Sequence, residues 1–354
     1  MPLPTTTPIS SNAWTGGQYS LFRAAFGGTL FIQFVQGTPF GTELFSKSRV
    51  LVGNSTDPLE PMLSNFLSGS TSSGAVLSLL ALGAVTSIAL AIGYRDRLSA
   101  LVLSIVWASS ITPSSLLSNP GLAFIGGLLL AHVMMPSQPF GSWDARDRLD
   151  PNGGWKMPNN IYLSGWILLA LGYVYVGATQ FLNISDLDGS DLWVGFALLH
   201  VFTFNPGWIS PRHPDGHTVV FYDGACGLCH QTIRILLAED AEGLRFRFAP
   251  LDSELFRSTC AAPGSGFADG DPIPDSVLVH RPGEALICRA EGVLELGHQL
   301  GGFWRLASII VGWLPNPLLD TGYDFIASIR HRLFTRPEDA CPLLPPHLRD
   351  RFSV

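Results

Sequence analysis

Charge is what this 354-residue chain has least of: 14% of its residues are Asp, Glu, Lys or Arg, against about 25% in soluble proteins. The shortage is uneven. Up to Ser210 there are 8 basic and 10 acidic residues, and from Pro211 to Val354 there are 13 and 18. That split excludes a single soluble domain and a disordered chain. A basic cluster is also missing, and with a net charge of −7 this argues against nucleic acid as a partner. Cysteine is absent before position 226; the five are Cys226, Cys229, Cys260, Cys288 and Cys341. The apolar part therefore has no dithiol of its own with which to pass electrons to a quinone. A disulfide-rich secreted miniprotein is excluded too.

What the first part does have is apolar runs. A membrane span needs roughly 20 mostly apolar residues. Candidates are Tyr19–Gln36, Gly74–Gly93, Leu98–Ile111, Pro120–Met135, Asn160–Phe181 and the shorter Leu192–Phe204. Gly83, Ala84, Gly126 and Gly127 suit close helix contact. Trp143, Trp155, Trp193 and Trp208 stand near proposed ends, as interfacial aromatics do. Residues 1–18 lack Lys and Arg, so the first run reads as a retained span and not a signal peptide. This predicts an α-helical transmembrane bundle of five or six spans over residues 1–204, in the cell (inner) membrane. With six spans, Arg95, Arg97, Arg146, Arg148, Lys156 and Arg212 share one side and Lys47 and Arg49 the other. The excess of positive charge puts the C-terminal part in the cytoplasm.

Polar groups inside spans are functional suspects. Arg23 is read as snorkelling to the interface or meeting an anion or headgroup. His132 and His200 are read as a haem or metal pair, a proton relay, or buried imidazoles bonded to neighbouring helices. The run LFRAAFGGTLFIQF (Leu21–Phe34), with its early Arg, resembles the opening helix of DoxX-like and HTTM (vitamin K-dependent carboxylase-like) membrane proteins.

Asn205–Gly216 is rich in Pro and Gly and reads as a linker over 205–216, leaving 217–354 as a soluble domain. His217–Tyr222 reads as a strand, Asp223-Gly224 as a turn, and Cys226–Glu239 as a helix with apolar residues at 229, 233, 236 and 237. Leu244–Phe248 reads as a second strand. Ser276–His280 and Leu286–Arg289 read as a hairpin, and Glu291–Leu300 as a helix. This is the order of an α/β thioredoxin-like domain. It sets Cys226 at a helix N-terminus, where unpaired N–H groups and the helix dipole favour an anion, and the thiolate is the reactive form of cysteine. Cys229, one turn on, is placed to resolve a mixed disulfide. Asp223 is either a proton carrier for the thiols or the first residue of an Asp-Gly turn.

Other readings of the motif are a c-type haem site, since Cys226–His230 spells CxxCH, soft-metal binding by the two thiolates, and a structural disulfide. Pro274 is the nearest candidate for the proline that thioredoxin-like proteins set against the CxxC. Cys260 and Cys288 read as packing residues. Phe303–Leu314 is too short to span, and Tyr323–Arg336 is amphipathic and reads as a surface helix or one lying on anionic lipid.

The run Asp223-Gly224-Ala225-Cys226-Gly227-Leu228-Cys229 resembles the signature of the DCC family of thiol-disulfide oxidoreductases. The similarity continues through FRFAPLDS (Phe246–Ser253), DSVLV (Asp275–Val279), GGFWRLASII (Gly301–Ile310) and the tail Arg336–Phe352, which contains Cys341. The resemblance implies that Cys226 and Cys229 are the redox pair and Asp223 the third signature residue. The expected protein is a membrane-anchored thiol-disulfide oxidoreductase that needs no organic cofactor or metal and acts on a protein or small-molecule thiol or disulfide. The alternative is a membrane transport or binding protein whose CxxC domain binds metal or senses redox state.

Overall fold

The computed structural model describes residues 12–39, 73–110, 121–181, 190–212, 217–224, 226–266, 277–333 and 345–353. It is mostly helical, with one small three-stranded sheet. The chain forms two compact units. One takes Tyr19–Arg146 and Trp155–Phe204; the other takes Ala13–Gln18, Asp147–Gly154 and Asn205–Val354.

The first unit contains most of α1 (Gly16–Gly37), then α2 (Ser73–Ile92), α3 (Asp96–Ser110), α4 (Gly121–Met134), α5 (Asn159–Phe181) and α6 (Ser190–Thr203). Each falls on one of the apolar runs read from the sequence. Helix α2 packs on α3, α3 on α4, and α4 on both α5 and α6. Small residues allow the close approaches. A Cβ on Gly83 would stand 2.6 Å from the Phe34 ring, and one on Gly27 would stand 2.8 Å from Ala91.

Among the described residues, two stretches are long and apolar enough to cross a membrane: Gly74–Ile92 and Asn159–Phe181. The runs at Gly121–Met134 and Leu192–Thr203 are apolar but shorter. Of the five or six spans expected from the sequence, two are supported by length and apolarity among the described residues.

The second unit is built on β1 (Thr218–Tyr222), α7 (Gly227–Glu239), β2 (Phe246–Pro250), α8 (Glu254–Ala261), β3 (Leu278–His280), α9 (Arg289–Leu300), α10 (Gly302–Val311), α11 (Asn316–Leu333) and α12 (Pro346–Arg349). The strand order is β2-β1-β3. β1 and β2 run parallel, joined through α7, and β3 runs antiparallel to β1. The second hairpin strand reduces to one bridge, Val279 to Ile287, and Phe352 makes a parallel bridge to Phe248 on the other edge. Strand–helix–strand, hairpin, helix is the order expected from the sequence; α8 was not expected. Its start is fixed by Ser253, whose Oγ accepts the Phe256 N–H, the usual capping role of serine.

Two segments distant in sequence complete this unit at the C-terminal end of α7. Asn152 Nδ2 donates to Ala238 O at 2.9 Å. The buried Glu239 accepts Thr15 Oγ1–H at 2.5 Å, the Gly17 N–H at 3.0 Å and the Trp304 indole N–H at 2.6 Å. Residues 205–212 are held as well, with Arg212 N donating to His298 O and the Gly302 N–H donating to Ile209 O.

Candidate functional site

β1 ends at Tyr222, and the chain turns through Asp223 and Gly224, with the Cys226 N–H donating to Asp223 O at 3.1 Å. Cys226 is extended (φ −97°, ψ 114°) and caps α7; its Sγ accepts the Cys229 N–H at 3.5 Å. A sulfur therefore occupies the place that a Ser or Asp oxygen takes at most helix starts. There the donated N–H and the helix dipole favour negative charge. The two cysteines are free thiols. Cys226 and Cys229 both stand at the first turn of α7.

The setting stands against ready redox chemistry, which needs a sulfur that a substrate can reach. Cys226 is 2% exposed and Cys229 4%. Both belong to a core cluster with Val220, Ile233, Phe248 and Leu348, against which Tyr222, Trp304 and Phe352 pack. Burial pushes the Cys229 thiol up to about 12, helped by its hydrogen bond to Cys226 and opposed by hydrogen bonding from the Asp223 backbone. Cys229 thus keeps its proton and offers it to Cys226. The Asp223 carboxylate adds to the rise through its charge, so Asp223 both forms the turn and acts electrostatically on the second thiol.

His230 holds this turn in place: its Nε2 lies 3.0 Å from Gly224 O, and its ring meets Tyr222 edge-on at 6.2 Å. The nitrogen that the haem reading of CxxCH would use is occupied by the loop. Cys260 and Cys288 are half-buried free thiols beside a second core cluster, and burial raises both. Cys341 and Pro274 lie outside the described residues. Among the described residues, no group of three His, Cys, Asp or Glu side chains is gathered as a metal site would require.

In the first unit, Arg23 does not snorkel. It is 1% exposed, and its Nη2 donates to Gly141 O at 3.4 Å. Gly93, at φ +74°, leaves the space: a Cβ there would sit 2.5 Å from Arg23 Nη2. His132 is buried among Tyr19, Phe22 and Phe26, with Nδ1 2.8 Å from Leu128 O. His200 uses both nitrogens, on Phe196 O and Tyr173 Oη, each at 2.7 Å.

Three residues important to this site were not expected from the sequence: His230 as the lock on the turn, and Glu239 and Asp240 at the far end of α7. The signal for the last two was present. Glu239 and Asp240 stand three and four residues after the buried Leu236, so they continue its apolar stripe as buried acids.

Residues 220–336 match the model of a family described as DCC1-like thiol-disulfide oxidoreductase. The chain is also 28% identical over 138 residues to Uncharacterized protein YuxK of Bacillus subtilis (strain 168), an alignment covering 38% of this chain and 92% of the relative. No solved structure matches the chain. The family match begins at residue 220 and does not reach the first helix, so nothing found bears on the DoxX-like and HTTM resemblance.

Proposed function

We propose that this chain is a membrane-anchored thiol-disulfide oxidoreductase whose second unit is thioredoxin-like. The observation that carries the reading is Cys226 Sγ at the start of α7, receiving the Cys229 N–H, inside a region that matches a thiol-disulfide oxidoreductase family. The Cys226 thiolate attacks one sulfur of a substrate disulfide; the substrate S–S bond breaks, and one substrate thiol leaves with a proton. Cys229 gives up its proton and attacks Cys226 Sγ, releasing the second substrate thiol and leaving a Cys226–Cys229 disulfide. Two electrons pass to the substrate, and a cellular dithiol restores the pair. Since both sulfurs are enclosed, the reacting state is one in which the packing around the pair has opened.

Membrane anchoring draws on the two stretches of spanning length and on the apolar side chains the first unit turns outward, among them Val85, Ile167, Leu171, Val174 and Trp193. In this reading all six helices cross the inner membrane and the dithiol faces the cytoplasm, with the basic loops.

The test is disulfide reduction by the full chain in detergent. Cys226→Ser should abolish turnover, and Cys229→Ser should trap a mixed disulfide on Cys226. Undiminished turnover in Cys226→Ser overturns the assignment. The enclosure of the dithiol favours one further reading, a redox-sensing module of a membrane transport or binding protein. In that case the pair oxidises and re-reduces once per signal, and no variant changes a turnover rate.

A further inference from the structure

Helix α10 lays Phe303 and Trp304 inward against Trp14 and the core, yet it and α11 also turn a run of bulky apolar residues outward. A soluble surface helix buries its bulky apolar residues and shows its small and polar ones. In α10 the buried positions are Gly302 and Ser308, and Ser308 packs so closely on α9 that a Cβ on Gly297 would overlap its Oγ. The outward positions are Leu306, Ile309, Ile310 and Val311. The turn that follows exposes Leu314 and leaves Trp313 81% exposed. Along α11, Leu318, Phe325 and Ile326 form an exposed stripe. At 100° per residue, Asp320 and Asp324 fall on the opposite side. Soluble monomers rarely show a continuous apolar surface of this kind without a partner for it.

The chemistry of the two helices identifies that partner. At ten residues α10 is half the length of a span, so it fits along an apolar surface and not through one. An exposed Trp at a helix end is an anchor at the lipid headgroup level. The sequence of α11 closes on Arg330, His331 and Arg332, which complements anionic headgroups. We propose that α10–α11 lies in the interface of an anionic phospholipid bilayer and holds the redox unit against the membrane. This rests on the reading that the first unit crosses a bilayer.

The experiment uses the full chain in nanodiscs of mixed phosphatidylglycerol and phosphatidylethanolamine with a trace of photoactivatable phospholipid, mapping adducts by mass spectrometry. Adducts are expected on peptides covering 302–329 as well as on those covering 74–92 and 159–181. An Ile310→Glu/Trp313→Glu variant should lose the first set and keep the second, with thiol reduction in detergent unchanged to show that the unit is folded. Labelling confined to 74–92 and 159–181 overturns the proposal alone. An absence of adducts on all three regions overturns the membrane reading with it. Loss of lipid adducts on 302–329 together with two copies of the chain per nanodisc by native mass spectrometry assigns the face to self-association and also overturns it.

Discussion

Arg351 Nη2 stands 2.7 Å from Asp240 Oδ2, and both side chains are buried. A second arginine nitrogen donates to Asp240 O, at the end of the helix that starts on Cys226. Asp240 is heavily used: its carboxylate also accepts the N–H groups of Leu244, Arg245 and Phe246. One ion pair therefore ties together the end of α7, the entry to β2 and the segment carrying Phe352.

Removing one partner of such a pair leaves an uncompensated buried charge, so Arg351→Ala should destabilise the second unit by about 3–5 kcal/mol. The double variant Arg351→Met/Asp240→Asn should lose less, because the asparagine keeps an acceptor and no charge is stranded. Denaturant unfolding of the full chain in detergent, followed by tryptophan fluorescence, reads both. Equal losses in the two would show that the charge pair is not what Arg351 supplies.

The enclosed dithiol predicts an order of reactivity. In native protein, iodoacetamide should modify Cys260 and Cys288 before Cys226 and Cys229, and guanidinium should erase the difference. Peptide mapping over a time course distinguishes the sites. Early labelling of Cys226 would mean that its cover opens far more readily than its 2% exposure implies.

Cys229 sets the alkaline behaviour. Its folded thiol titrates near 12, against an ordinary value of 9.0. Below 9 the folded and unfolded chains are both protonated there, and this group adds no pH dependence. Between 9 and about 12 the unfolded chain loses the proton while the folded one keeps it, so stability falls as pH rises. Cys229→Ala should flatten that limb in a series of melts from pH 8 to 11, whereas Cys260→Ala should leave most of it.

Glu239 is satisfied by donors, and burial raises its carboxyl above the ordinary value while those hydrogen bonds pull it down. Glu239→Leu strands the Gly17 N–H, the Thr15 hydroxyl and the Trp304 indole N–H, at about 1–3 kcal/mol for each buried donor left unpaired. Glu239→Gln retains a carbonyl acceptor and should cost markedly less. A comparison of melting midpoints decides; similar losses would point to packing and not to the hydrogen bonds.

The parts legible in the sequence are those governed by local pattern. All six apolar runs became helices, and Cys226 stands where a strand–turn–helix reading puts it. Span number was harder, because Gly121–Met134 and Ser190–Thr203 stop at 14 residues each. Helix α8 is eight residues long, too short for its periodicity to stand out in the sequence, and it begins on the Ser253 cap. The supposed linker is bonded to α9 and α10 through Arg212 and Ile209, partners nearly ninety residues away or more. Arg23 points inward because Gly93 leaves space for its guanidinium, a fact written in the turn after α2. The burial of the cysteine pair is of the same kind, since their core cluster is completed by Leu296, Leu300 and Leu348 from far along the chain.

The grip of Glu239 on Thr15 has a bearing on biogenesis. The two residues are separated by 224 positions, and a ribosome adding 5–20 residues per second needs on the order of 10–45 s to cover that stretch. For that interval Thr15 and Gly17 have no carboxylate to bind. When Glu239 emerges, it must recapture a strand of polypeptide made long before. A fragment cut to start at Asn205 would leave Glu239 with the Trp304 indole N–H but without the Thr15 and Gly17 donors.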